Sequence, residues 1–132
     1  MDHNIQTLLE AWQRRNIQGA YCPDSAEAVK ILLEAIPVSA TIGFSGSGTL
    51  EQLGIIRLLE ARGNTVLNQY RPGISRPESL ELRRLGSLAD CYLTSANALS
   101  LTGELVFLSA YGHRIAGIAS AKKVIVVCGK NK

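Results

Sequence analysis

Ser45, Gly46, Ser47, Gly48 and Thr49 are the residues of this chain best suited by type and spacing to hold an anion. They follow Ala40-Thr41-Ile42-Gly43-Phe44, which reads as a buried strand, and lead into Leu50-Glu51-Gln52-Leu53-Gly54, which reads as a helix. Gly43, Gly46 and Gly48 lack a Cβ, so the backbone can turn sharply and a ligand can approach it closely. Ser47 or Thr49 can cap the helix. The first amides of a helix have no internal partner and carry partial positive charge, which suits a phosphate or carboxylate. The pattern is neither a Walker loop, lacking Gly-Lys-Ser/Thr, nor a clean Gly-x-Gly-x-x-Gly. A plain strand-to-helix turn, with serines satisfying their own backbone, fits the same residues.

Two further clusters carry polar chemistry. Thr94, Ser95 and Asn97 follow the apolar run Asp90-Cys91-Tyr92-Leu93. Asn97 can orient a hydroxyl or a carboxylate, but its amide cannot act as a general base; it suits a structural turn equally well. His113 and Arg114 follow Gly112 in a turn. Arginine grips carboxylate or phosphate in bidentate fashion, and histidine titrates near neutral pH. A surface turn with two polar residues accounts for them as well. His3 and His113 lie far apart in sequence and show no ligand spacing, so no metal site is expected.

The elements that position these residues alternate between helix and strand. Ile5, Leu8, Leu9 and Trp12 give residues 3–16 one apolar helical face, with Trp12 as a packing anchor. A short strand is expected at Ala20, Tyr21 and Cys22. Asp24 and Glu27 have capping-box spacing at the start of a second helix, whose buried face is Val29, Leu32, Leu33 and Ile36 and which Pro37 stops. Leu50, Leu53, Ile56 and Leu59 continue the helix after the glycine-rich turn to Gly63, a left-handed cap. Thr65, Val66 and Leu67 form a strand, and residues 68–75 a loop. Ser75-Arg76-Pro77-Glu78 starts a helix with Leu82, Leu85 and Leu88 on its core side and Gly86 at its frayed end. Residues 90–95 form a buried strand. Glu104 to Leu108 forms an arm of a hairpin that turns at Thr102-Gly103, and residues 115–119 a helix or strand. Val124-Ile125-Val126-Val127-Cys128 suits a strand covered on both faces. The fold class is therefore α/β: a mostly parallel, Rossmann-like sheet between two layers of helices. Ligands in such sheets gather beyond the carboxyl ends of the strands, where residues 45–49, 94–97 and 129–131 could converge.

Composition narrows the function classes. The chain has 132 residues, enough for one domain with a real core. Its net charge of +3 comes from scattered basic residues and aromatics make up only 5%, so nucleic-acid binding is not expected. The three cysteines, Cys22, Cys91 and Cys128, show no Cys-x-x-Cys spacing, and Cys91 and Cys128 read as buried thiols. No membrane span or signal peptide is visible, and the cytoplasm is the expected location.

Three stretches together resemble the LUD domain, the lactate-utilisation family. They are Ile42-Gly43-Phe44-Ser45-Gly46-Ser47-Gly48-Thr49-Leu50, then Ala89 to Leu99 followed by Thr102-Gly103-Glu104-Leu105-Val106, and Lys122-Lys123-Val124-Ile125-Val126-Val127 ending Gly129-Lys130-Asn131-Lys132. The likeness runs from about Leu8 to the last residue and implies a single LUD-like domain over 1–132. It implies a three-layer α/β/α fold like that of glucosamine phosphate deaminase, ribose phosphate isomerase and the coenzyme A transferases. A homodimer is expected from those fold relatives. Some family members work beside iron–sulfur and flavin-type proteins that oxidise lactate. This chain lacks a cysteine cluster, so no cofactor is expected and an iron–sulfur oxidoreductase would be its partner. By analogy with coenzyme A transferases Glu104 is a candidate nucleophile, although a solvated glutamate after a turn is the commoner case. Two departures stand out: Ser109 where the family often shows aspartate, and His113 where it shows asparagine before the arginine. Family members also commonly continue past Asn131-Lys132, so this is a short or a truncated member.

Three functions are therefore expected as alternatives. The first is a binding or accessory component that holds a small anionic metabolite through residues 45–49, with Thr94, Ser95, Asn97 and Arg114 around it. The second is an isomerase or acyl/coenzyme A transferase using Glu104 or His113. The third is an interaction module whose glycine-rich turn is structural.

Overall fold

Alternating residues of strand β1 (Thr41–Phe44) divide the molecule into two layers of helices about one parallel sheet. The computed structural model describes residues 2–129. Helices α1 (His3–Arg14) and α2 (Ser25–Ala35) precede β1; α3 (Gly48–Leu53), α4 (Ile55–Arg62) and β2 (Thr65–Val66) follow it. Then come α5 (Arg76–Gly86), β3 (Cys91–Thr94), a hairpin of β4 (Ala98–Leu99) and β5 (Leu105–Val106), α6 (His113–Ser120) and β6 (Lys123–Val126). The sheet order is β2-β1-β3-β6, and every pairing in it is parallel. The architecture is a three-layer, Rossmann-like α/β/α sandwich.

Ile42, Phe44, Cys91 and Leu93 point to one face and pack with Leu32, Ile36, Leu50, Ile55 and Leu59 of α2, α3 and α4. Gly43 and Tyr92 point to the other face, under α5 and α6. Gly43 lies directly against the Gly86 backbone, and Tyr92 lies against Gly117. A Cβ on Gly43 would stand 2.1 Å from the Gly86 oxygen, so the pair lets α5 approach β1 at backbone distance. Gly86 is thus a buried packing residue rather than a frayed end, and it turns its own face of α5 to the sheet. That displaces Leu85 and Leu88, expected in the core, to 41% and 64% exposure.

Local signals placed the helix starts. Ser47 Oγ accepts from the Leu50 amide at 3.2 Å, so Ser47 rather than Thr49 is the cap. Asp24 Oδ1 accepts from Glu27 at 2.9 Å and Ser75 Oγ from Glu78 at 3.2 Å. The helix after the turn is broken at Gly54, whose φ of +64° ends α3 and starts α4. Residues 20–22 form no strand. Residues 115–119 belong to a helix. β6 is an edge strand with its apolar residues half-buried, so it is not covered on both faces, and Cys128 beyond it is half-buried too.

Long-range hydrogen bonds fix the helices to the sheet. Arg62 donates to Leu33 O and Ile36 O, both at 2.7 Å, and Asn64 Nδ2 donates to Pro37 O and Ala40 O, both at 2.9 Å. Arg62 thereby satisfies carbonyls at the end of α2 that the helix itself leaves unpaired, and Asn64 ties down the segment that joins α2 to β1. Trp12 Nε1 donates to Gly103 O at 3.1 Å and anchors α1 to the hairpin turn. Among the described residues no helix is long and apolar enough to cross a membrane.

Candidate functional site

The chain leaves β1 toward β2 on one side and then crosses back to β3 on the other, so the β1/β3 boundary is the point where the strand order reverses. Crevices at such points, beyond the carboxyl ends of the strands, are where ligands bind in parallel α/β sheets. A cavity of about 270 Å³ lies there. Phe44, Ser45 and Gly46 enter it from β1, Gln69 and Tyr70 from β2, and Tyr92 from β3. Arg83 of α5, residues 108–111, and His113 and Arg114 of α6 complete it.

Arg114 ties three loops together at this cavity. Its Nη1 donates to Asn97 Oδ1 at 2.9 Å and to Leu108 O at 3.0 Å, and its Nη2 to Gly46 O at 3.0 Å. Asn97 Oδ1 also accepts from the Leu108 amide at 2.9 Å. All of these acceptors are neutral, so the guanidinium charge is not compensated. Arg83 approaches the rings of Tyr70 and Tyr111, at 5.1 and 5.5 Å from their centroids. His113 lies 6.3 Å from the Tyr111 ring, and its Nδ1 is buried without a partner. Burial raises the Tyr92 phenol, against the opposing pull of Arg114, so its hydroxyl stays protonated at neutral pH.

Of the residues singled out from sequence, Ser45, Gly46, His113 and Arg114 line the cavity. Asn97 reaches it through Arg114. Thr94 stands behind Ser45, with 2.7 Å between their hydroxyl oxygens, and Ser95 is buried beside it. Gly43 is covered by α5. Ser47, Gly48 and Thr49 lead into α3 and are not among the lining residues. Of residues 129–131, Gly129 alone belongs to the described part of the chain.

Glu104 is separate from the cavity. Its exposed carboxylate accepts from the Ser100 and Thr102 hydroxyls and lies 3.7 Å from Arg15. The two hydroxyls, before Arg15, draw its pKa from 4.5 down to about 2. A carboxyl depressed in the folded state adds stability above its unfolded pKa and loses it as pH falls toward the folded one. Glu104→Gln should therefore lower Tm by a constant amount between pH 5 and 7. The difference should close as pH falls from 4.5 toward 2. A difference independent of pH throughout, followed by calorimetry, would contradict this.

Gln69, Tyr70, Arg83, Tyr92 and Tyr111 were not singled out from sequence. Gln69 and Tyr70 follow β2 as Ser45 follows β1, so the strand-end rule could have found them. The adjacent Arg83 and Arg84 divide. Arg84 pairs with Glu81 at 2.6 Å, while Arg83 turns to the cavity. Only its tertiary neighbours distinguish it.

The family profile of the LUD domain matches residues 5–132. This chain belongs to the LUD domain family. No curated protein and no solved structure matches it. Both departures from the family pattern fall at the cavity. Ser109 Oγ accepts from the Arg114 amide at 3.2 Å, where the aspartate common in LUD domains would supply an equivalent acceptor. His113 is the first residue of α6 and presents an imidazole next to Arg114 in sequence.

Proposed function

We propose that this LUD domain protein is a binding component of hydroxy-acid utilisation that holds a small anionic metabolite in the cavity at the strand ends. The family is linked to lactate utilisation. The observation that carries the reading is the charge of the cavity wall. Arg114 and Arg83 line it, no carboxylate of the described residues does, and Arg114 directs its hydrogen bonds to neutral acceptors alone. A negatively charged ligand is the complement of such a wall. Each charge-assisted hydrogen bond contributes about 1.5–3 kcal/mol.

A thermal-shift panel of lactate, pyruvate, sugar phosphates, coenzyme A and nucleotides tests this. An anion at a hundred times its Kd adds about 2.7 kcal/mol. For a domain of this size that raises Tm by about 10 °C. A panel in which no anion raises Tm overturns the reading.

A further inference from the structure

Arg83 differs from the two other half-buried arginines of this fold, Arg62 and Arg114; the exposed Arg14, Arg57 and Arg76 likewise make no side-chain hydrogen bond among the described residues. Arg62 and Arg114 each make three hydrogen bonds to protein oxygens, Arg84 makes two, and Arg15 and Arg71 one each. The half-buried Arg83 guanidinium makes none, and it pairs with no carboxylate among the described residues. Its position is fixed instead by the rings of Tyr70 and Tyr111. The guanidinium edge, where all five N–H donors lie, has no protein oxygen as acceptor among the described residues. That edge matches a carboxylate or phosphate group in fork geometry. The same cavity is lined by a second uncompensated guanidinium, Arg114, and by Tyr92, whose hydroxyl makes no hydrogen bond among the described residues. Two permanent positive charges thus share one cavity with no negative group on its wall among the described residues.

We propose that the cavity takes a small anion carrying two negative charges, with Arg83 rather than the glycine-rich turn as its principal anchor. Anionic oxygens of the ligand, carried on one phosphate or on two carboxylates, occupy the Arg83 fork, compensate Arg114 and accept from the Tyr92 hydroxyl. This rests on the anion-binding reading above and narrows it: a monoanion such as lactate neutralises only one of the two cations.

Isothermal titration of the full chain with malonate, methyl phosphate and lactate at pH 7.5 and constant ionic strength is the test. At least one of the two dianions should bind ten times more tightly than lactate, and which one does so separates a dicarboxylate from a phosphomonoester. Arg83→Gln, with unchanged Tm, should reduce that dianion to within twofold of lactate, and Arg83→Lys should restore only part of the affinity because it lacks the fork. Equal affinity for lactate and the dianions overturns the proposal and leaves the anion-binding reading standing. Tight dianion binding that survives Arg83→Gln overturns the anchor. Binding of none of the three overturns this inference, and only a flat panel in the broader screen also removes the reading beneath it.

Discussion

Gly43→Ala should destabilise the protein by about 3 kcal/mol or more, the upper end of what overpacking costs. The added Cβ would meet Gly86 O at 2.1 Å and Gly86 C at 2.7 Å. Both are backbone atoms of a helix and cannot turn aside as a side chain end can. Relief requires α5 to lift from β1, which would open the packed face over the centre of the sheet. The reciprocal substitution should behave differently. A Cβ on Gly86 meets only the Gly43 Cα, at 3.4 Å, an ordinary contact distance. Gly86→Ala should therefore stay within about 1 kcal/mol of the parent, since alanine's better helix propensity offsets any small adjustment. Chemical denaturation of the two variants decides the matter; equal stabilities would show that the close approach does not limit the packing of α5.

Gly46→Val should reduce anion affinity at least a hundredfold, close to abolition, while moving Tm by only a few degrees. The new Cβ would stand 2.3 Å from the Tyr70 hydroxyl. Tyr70 is 52% exposed, so its ring can swing outward without unfolding the core. That swing removes part of the cavity wall, breaks the 5.1 Å contact with Arg83 and disturbs the ring contact with Phe44. Gly48→Ala is the matched control, because a Cβ there meets nothing within 4 Å. It should leave affinity unchanged. Loss of binding in Gly48→Ala with retention in Gly46→Val, measured by calorimetry, would move the anion from the cavity to the start of α3.

The sequence disclosed what is encoded locally. Asp24, Ser47 and Ser75 were readable as caps because each acts on an amide three residues away. The strand–turn–helix at residues 41–53 was readable because its apolar and glycine spacing is contiguous. The break at Gly54 was hidden because Leu50, Leu53, Ile56 and Leu59 keep one apolar stripe on both sides of it. Leu85 and Leu88 misled because a leucine stripe normally marks the buried face, whereas a glycine-to-glycine contact sets the face here. The candidate site was half legible. Gly46 stands in the glycine-rich turn and Arg114 just after Gly112, positions that draw notice on their own, while Arg83 lies within α5 and acquires its meaning from Tyr70 and Tyr111, residues of two other segments.

The strand order also shapes how this chain is made. Ile42 in β1 pairs with Cys91 in β3, 49 residues later, and Thr41 meets Asp90 across the same interval. At about 5–20 residues per second of synthesis, β1 waits roughly 2–10 s for that partner to emerge. Throughout that interval β1, which is buried in the finished fold, has at least one unpaired edge, in a topology whose distant pairings already make folding slow. A chaperone holding residues 41–66 on the ribosome would act on this protein at its most vulnerable stage.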